Sequence, residues 1–158
     1  LAAHLKQYPA GTEPYTGRHP NGLPLAQGFL CNGQPIGPWT YWADDGKPIM
    51  RGTYAYGGKR DGEWTAWYPN GRQRMRGTYR FGKEHGRFGY WYDNGVPSMR
   101  GIYDEGLRHG HWDAWHHDGM RAMSGDYIQG KKVGPWQFWD EDGRPLTEVD
   151  YSLQIADR

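Results

Sequence analysis

Apolar positions along this chain gather in short aromatic-centred clusters, and the clusters return at a fixed interval. Segments of the form Gly-x-Trp/Phe-x-x-Trp begin at Gly37, Gly62, Gly86, Gly110 and Gly134, spaced by 25, 24, 24 and 24 residues. A fixed period of this length decides the architecture before any local reading does. Between the apolar stretches lie Asp/Asn-Gly pairs ending at Gly22, Gly46, Gly71, Gly95, Gly119 and Gly143, the strongest short-range hairpin signal a sequence carries. Each unit is therefore predicted to be a β-hairpin. The second strand of each carries Met, Gly and Tyr two residues apart, as in Met50, Gly52 and Tyr54, so the three share one face.

Aligning the chain with itself assigns the remaining columns. Trp39, Trp64, Phe88, Trp112 and Trp136 are expected to face Gly52 and its counterparts, where the missing side chain leaves room for an indole, and to form the core with Met and Tyr. Trp42, Trp67, Trp91, Trp115 and Trp139 stand three residues further along, an odd step that turns them to the opposite face with Arg51, Arg76 and Arg100. A bulge would undo that assignment. The Asp/Asn-Gly turn is expected to be a two- or four-residue loop, and the odd period places the extra residue at Gly57-Gly58.

The expected fold is an all-β, elongated, single-layer antiparallel meander of about 11 strands. Residues 1–12 form an N-terminal cap or linker, 13–151 the repeat domain and 152–158 a tail. Within the domain a degenerate unit, 13–36, precedes units 37–61, 62–85, 86–109 and 110–133 and a partial unit 134–151.

Composition supports this picture. Leu, Ile, Val and Phe make up only 20 of the 158 residues, a fraction typical of disorder, yet the net charge is +1 and aromatics reach 16%. Burial must come from 9 Trp and 12 Tyr, while 25 Gly argue against long helices. The balance of 19 basic and 18 acidic residues is the wrong charge for duplex nucleic acid. Cys31 is the one cysteine, so no internal disulfide or cysteine-based zinc site can form. The chain starts at Leu1 and not Met, which points to an upstream segment processed away or left out.

Catalytic chemistry has little foothold. Ser98, Ser124 and Ser152 are the only serines, two of them within repeated strands, and the acidic residues mostly decorate turns. His109, His111, His116 and His117 cluster in sequence without a zinc-protease spacing. No enzyme activity, cofactor or metal is expected.

The repeated Gly-x-Trp-x-x-Trp, Asp/Asn-Gly, Gly-x-Tyr-x-x-Gly-Lys and His-Gly elements, the last at His85-Gly86 and His109-Gly110, resemble MORN repeats, and most closely the variant of the bacterial YwqK family of antitoxins. The likeness covers about 13–151. It implies a non-catalytic antitoxin or immunity protein that neutralises a toxin or secreted effector by binding it. A toxin that attacks membrane phospholipid would require the protein in the periplasm, which is the expected location, with the cytoplasm as the alternative, and a monomer is expected. The eukaryotic lipid-binding MORN group has a Gly midway between Tyr and Trp that this chain lacks, which argues against lipid binding of that type; the alternative is a membrane-associated scaffold whose Arg ladder and aromatics engage anionic lipid headgroups.

The expected partner surface is the Trp42, Trp67, Trp91, Trp115 and Trp139 column with Arg51, Arg76 and Arg100, because Trp and Arg dominate binding hot spots. The competing reading is a scaffold ladder of Arg stacked on indole. The Arg column ends at Ser124, which places an anion site toward the first three full units. Positions that vary between units carry partner-specific chemistry better than positions the scaffold repeats. These are Tyr41 and Tyr90, alternating with Ala66 and Ala114, and Tyr68 and Tyr92 before the turns.

Overall fold

The computed structural model describes residues 7–152; the outer parts of the two expected terminal segments, 1–6 and 153–158, lie outside the described residues. Twelve strands follow one another in chain order: β1 (Thr12–Arg18), β2 (Pro24–Cys31), β3 (Gln34–Trp42), β4 (Pro48–Ala55), β5 (Lys59–Trp67), β6 (Gln73–Arg80), β7 (Lys83–Trp91), β8 (Pro97–Asp104), β9 (Leu107–Trp115), β10 (Arg121–Ile128), β11 (Lys131–Phe138) and β12 (Val149–Asp150). Each pairs antiparallel with the next in one open sheet, and no α-helix occurs among the described residues. The expected all-β meander is present, with a two-residue twelfth strand beyond the eleven anticipated.

Two turn types alternate. The Asp/Asn-Gly turns are neither two- nor four-residue loops. In the first full unit, Gly46 N–H donates to Ala43 C=O at 3.0 Å and Ala43 N–H to Lys47 C=O at 2.8 Å, which makes a type I turn closed by Gly46 at φ +81°. The residue before each glycine explains the choice: Asp45, Asn70, Asn94 and Asp118 each accept the N–H two residues on through their side chains, and this local bond holds a type I geometry. The primed turns sit instead between units. Asn32-Gly33, Phe81-Gly82, Glu105-Gly106 and Gln129-Gly130 have both residues at positive φ, with Phe81 at +50°. The extra residue does fall at Gly57-Gly58, where both glycines are left-handed.

Backbone register sets Trp39 opposite Gly52, Trp64 opposite Gly77, Phe88 opposite Gly101 and Trp112 opposite Gly125. The ring lying on each glycine, however, comes from the following unit. A Cβ on Gly52 would meet Trp64 at 2.1 Å, one on Gly77 would meet Phe88 at 2.2 Å, and one on Gly101 would meet Trp112 at 2.1 Å. The cause is a bulge in every link between units: Arg51 pairs with Thr65 and Thr53 with Asp61, so four residues of β5 span two of β4. Gly62, at φ +71°, opens that bulge and lays the Trp64 ring flat across the neighbouring backbone. Its indole N–H then donates to Thr53 C=O at 3.0 Å, as Trp112 does to Ile102 and Trp136 to Asp126.

One face thereby becomes a continuous file of edge-to-face rings. Trp39, Tyr54, Trp64, Tyr79, Phe88, Tyr103, Trp112, Tyr127, Trp136 and Tyr151 follow one another with centroids 4.9 to 6.3 Å apart. Trp64, Trp112 and Trp136 are wholly buried. Each such contact adds about 0.5 to 1.5 kcal/mol beyond area burial.

The tyrosine hydroxyls in the file are satisfied in two alternating ways. Tyr41 reaches Tyr54 at 3.0 Å and Tyr90 reaches Tyr103 at 3.4 Å. Where the same column holds Ala66 and Ala114, Arg60 donates to Tyr79 at 3.4 Å and Arg108 to Tyr127 at 3.0 Å, each guanidinium also lying over its Trp ring. Through the first four full units the cation and the phenol replace one another, whereas the last unit has Lys132 over both Trp136 and Phe138. Ala66→Tyr alone is therefore expected to lose about 1 to 3 kcal/mol through overpacking, and Arg60→Ala combined with Ala66→Tyr to recover most of it. Urea unfolding of the singles and the double measures this coupling, and additive losses would contradict it. Phe81→Asn, which relieves a left-handed Phe in a primed turn, should raise stability by about 0.5 to 1 kcal/mol in the same assay.

Candidate functional site

The odd step along the strand does turn the second Trp column away from the ring file. A bulge accompanies it, but on the partner strand: Tyr41 pairs with Met50 and Trp42 with Pro48, leaving Ile49 as the extra residue. Cross-strand register lays a single row of side chains over this outer face: Thr40, Arg51, Thr65, Arg76, Gly89, Arg100, Asp113 and Ser124, each on the strand next to the last. Gly89 is the one glycine in the row, flanked on one side by Arg76 and on the other by Arg100. Strand spacing puts those two backbones roughly 10 Å apart.

A groove of about 620 Å³ opens here, lined by Arg76, Arg87 and Arg100 together with Trp91 and Ile102 over Gly89. The Trp91 ring leans over Gly89, whose Cβ, if it had one, would meet the ring at 2.6 Å. Arg76 is held by Glu63 through Nε at 2.9 Å and Nη2 at 2.8 Å. Arg100 lies 3.5 Å from Asp113 and spreads over the Trp115 ring at 4.9 Å. Arg87 is exposed and makes no ion pair among the described residues.

The expected site residues divide accordingly. Arg76, Trp91 and Arg100 meet at the groove, and Trp115 adjoins it through Arg100. Arg51 is exposed on the same face, one strand beyond Thr65, while Trp42 and Trp67 are half-buried outside the groove. Trp139 lies under Arg121 at 5.9 Å, beside its bridge to Pro145. Tyr41 and Tyr90 belong to the opposite face, stacked on Trp39 and Phe88. Tyr68 and Tyr92 stitch neighbouring turns, their hydroxyls donating to Trp91 C=O at 2.8 Å and Trp115 C=O at 2.7 Å. Sequence reasoning missed Arg87, at a position that differs between neighbouring units throughout, and Gly89, which departs from the Thr40 and Thr65 of the two units before it. The triplet Arg87-Phe88-Gly89 stands where other units have Pro38-Trp39-Thr40, Glu63-Trp64-Thr65 and His111-Trp112-Asp113.

Two further clusters carry chemistry. His111 joins Asp126 through Nδ1 at 2.9 Å and Ser124 through Nε2 at 3.0 Å, the bonding order of a nucleophilic triad. Ser124, however, donates its only proton to Asp113 at 3.0 Å, so the hydroxyl is bonded to a carboxylate and not poised on the imidazole. The sequence-adjacent histidines disperse, His116 to Trp139 C=O and His117 to Asp93. His85 instead meets Asp104 at 3.5 Å and Glu105 at 3.8 Å, a spacing that could hold a cation. Arg80 already grips Glu105 and holds its carboxyl below the usual carboxylate range.

Comparison with known families bears on the hairpin beside the groove. Residues 60–80, which span most of β5 and β6, match the family described as MORN repeat variant. The chain carries a MORN repeat. The ring, the Asn-Gly turn and the Gly-x-Tyr of that MORN hairpin recur in the units on either side, and Arg76 of the groove lies within the matched residues. No curated protein matches the chain.

Burial, reinforced by the hydroxyl pairs with Tyr54 and Tyr103, pushes the Tyr41 and Tyr90 phenols well above their usual range. The unfolded chain ionises these groups near pH 10 while the folded sheet keeps them neutral, so they leave stability undiminished below about pH 10 and reduce it as pH rises further. The wild type should lose melting temperature steeply between about pH 10 and 12. Tyr41→Phe/Tyr90→Phe should show a shallower slope, and parallel slopes would refute this assignment.

Proposed function

We propose that this protein is a non-catalytic antitoxin or immunity protein that captures a toxin or secreted effector on the outer face of its sheet, at the groove over Gly89. The observation that carries the reading is the coincidence of two features at one place. A rigid surface rich in Trp and Arg suits hot-spot binding, and the groove opens where the third full unit departs from its neighbours in three consecutive residues. A periplasmic location belongs to the same proposal, with a cytoplasmic one as its alternative.

Co-expression with the product of the neighbouring gene tests it. The expected result is a complex that survives purification and restores growth, both lost on Arg87→Glu. Neither complex nor rescue from the wild-type protein would reject the proposal.

A second reading is favoured by Arg51, Arg76, Arg87 and Arg100 standing on one face: the sheet engages anionic lipid headgroups. Sedimentation with phosphatidylglycerol vesicles should then show binding that fades as salt rises. Vesicles that leave the protein in the supernatant at low salt remove this reading.

A further inference from the structure

We propose that the groove over Gly89 takes an aromatic side chain flanked by carboxylates, presented by an acidic segment of a partner protein. This rests on the capture reading above and names the chemistry of what is captured.

Shape gives the first part. Gly89 stands between Arg76 and Arg100 in the outer row and carries no side chain, so the Trp91 ring lies directly on its backbone and the floor of the cavity is indole over bare strand. Gly77 and Gly101 border the cavity through backbone alone, since a Cβ on either would point into the ring file. Ile102 supplies an apolar wall. A flat slot between an indole and two guanidinium groups is the environment in which a planar ring gains most, by stacking on Trp and by lying against Arg. The cavity is far larger than a single carboxylate or phosphate needs, and its apolar base is poorly suited to either alone.

Charge gives the second part. Arg76 and Arg100 each have one carboxylate partner, Glu63 and Asp113, and a guanidinium offers five N–H donors, so both retain further donors at the cavity they line. Arg87 has no such partner among the described residues and stands two residues before Gly89 on β7, hence on the same face. Glu63 and Asp113 leave an excess of one positive charge on the walls, placed at Arg87. Carboxylates on either side of the inserted ring complement it, and lysines there would be repelled.

The repeat gives the third part. Phe88 has no N–H to offer Thr78, whose counterparts Thr53, Ile102 and Asp126 each accept an indole hydrogen bond. Nothing inside the sheet gains from Phe at this position, and Gly at the next serves to let the Trp91 ring fold over the outer face, where it becomes the apolar surface of the groove. The neighbouring units show that Trp and Thr fold equally well there. The third unit has given up scaffold contacts and opened a cavity in their place.

The test is a 15N-1H NMR titration of the full chain with N-acetyl-Glu-Tyr-Glu-amide. Saturable shifts are expected at the Gly77, Gly89 and Gly101 amides and the Trp91 indole N–H, with affinity about tenfold weaker for N-acetyl-Lys-Tyr-Lys-amide and for N-acetyl-Glu-Ala-Glu-amide. Gly89→Thr, the residue found in the first two full units, should abolish the shifts while keeping the spectrum folded. Arg87→Glu provides the same readout should Gly89→Thr fail to fold. Absent shifts, equal response to the acidic and basic peptides, or shifts from inorganic phosphate or phosphatidylglycerol vesicles in place of the peptide would overturn the proposal. Peptide binding without capture of the neighbouring gene product would sink the antitoxin reading alone; capture that survives Gly89→Thr with no peptide response would sink this one alone.

Discussion

The whole sheet rests on a ring being able to lie flat on a glycine. A single layer of β-structure has no second layer to cover its apolar face, so a side chain standing perpendicular to the strands would remain wet on most sides. Here the bulge at Gly62 and its counterparts tips each ring down onto the preceding strand, where Gly52, Gly77 or Gly101 removes the one atom that would hold it off. Contact at that range buries Trp64 and Trp112 completely in a protein one sheet thick. The same tilt carries the indole N–H onto a backbone carbonyl of the neighbouring strand at the bulge, so the buried ring satisfies its own polar group there. Because ring and glycine belong to successive units, the contact is also what joins one hairpin to the next.

Much of this could be read in the residues, and the parts that could not share a physical cause. Period, hairpins and the segregation of Trp39 from Trp42 follow from side-chain alternation along a strand, which sequence encodes directly. The opposition of Trp39 and Gly52 within a hairpin was equally legible. The ring that occupies Gly52 was not, because it depends on the register between units, and that register is displaced by a bulge whose only mark is a left-handed glycine. Turn type was misread for a similar reason. Asp and Asn before glycine suit both a primed two-residue turn and a type I turn, and the decision lies in a side-chain bond two residues long. Tyr68 and Tyr92 looked like free positions near loop tips, whereas each spends its hydroxyl on a carbonyl 23 residues away, a partner visible only once units are stacked.

Variation between units then falls into two physical kinds. Tyr41 and Tyr90 alternate with Ala66 and Ala114, and on its own that column resembles a surface tuned to something outside. Arg60 and Arg108 show otherwise, since a cation appears in the units that lack the Tyr and bonds the same hydroxyl of the file. That variation is compensated within the sheet. The change at Arg87, Phe88 and Gly89 is answered only in part: an indole hydrogen bond and a β-branched side chain are lost, the Trp91 ring folds over the glycine, and Arg76 and Arg100 stay paired with Glu63 and Asp113 while Arg87 has no ion-pair partner among the described residues. A repeat scaffold tolerates either kind, because each unit leans only on its neighbours. Only the second kind leaves surface chemistry that the fold does not use, and on this face it leaves the Arg87 cation beside an indole lying on backbone.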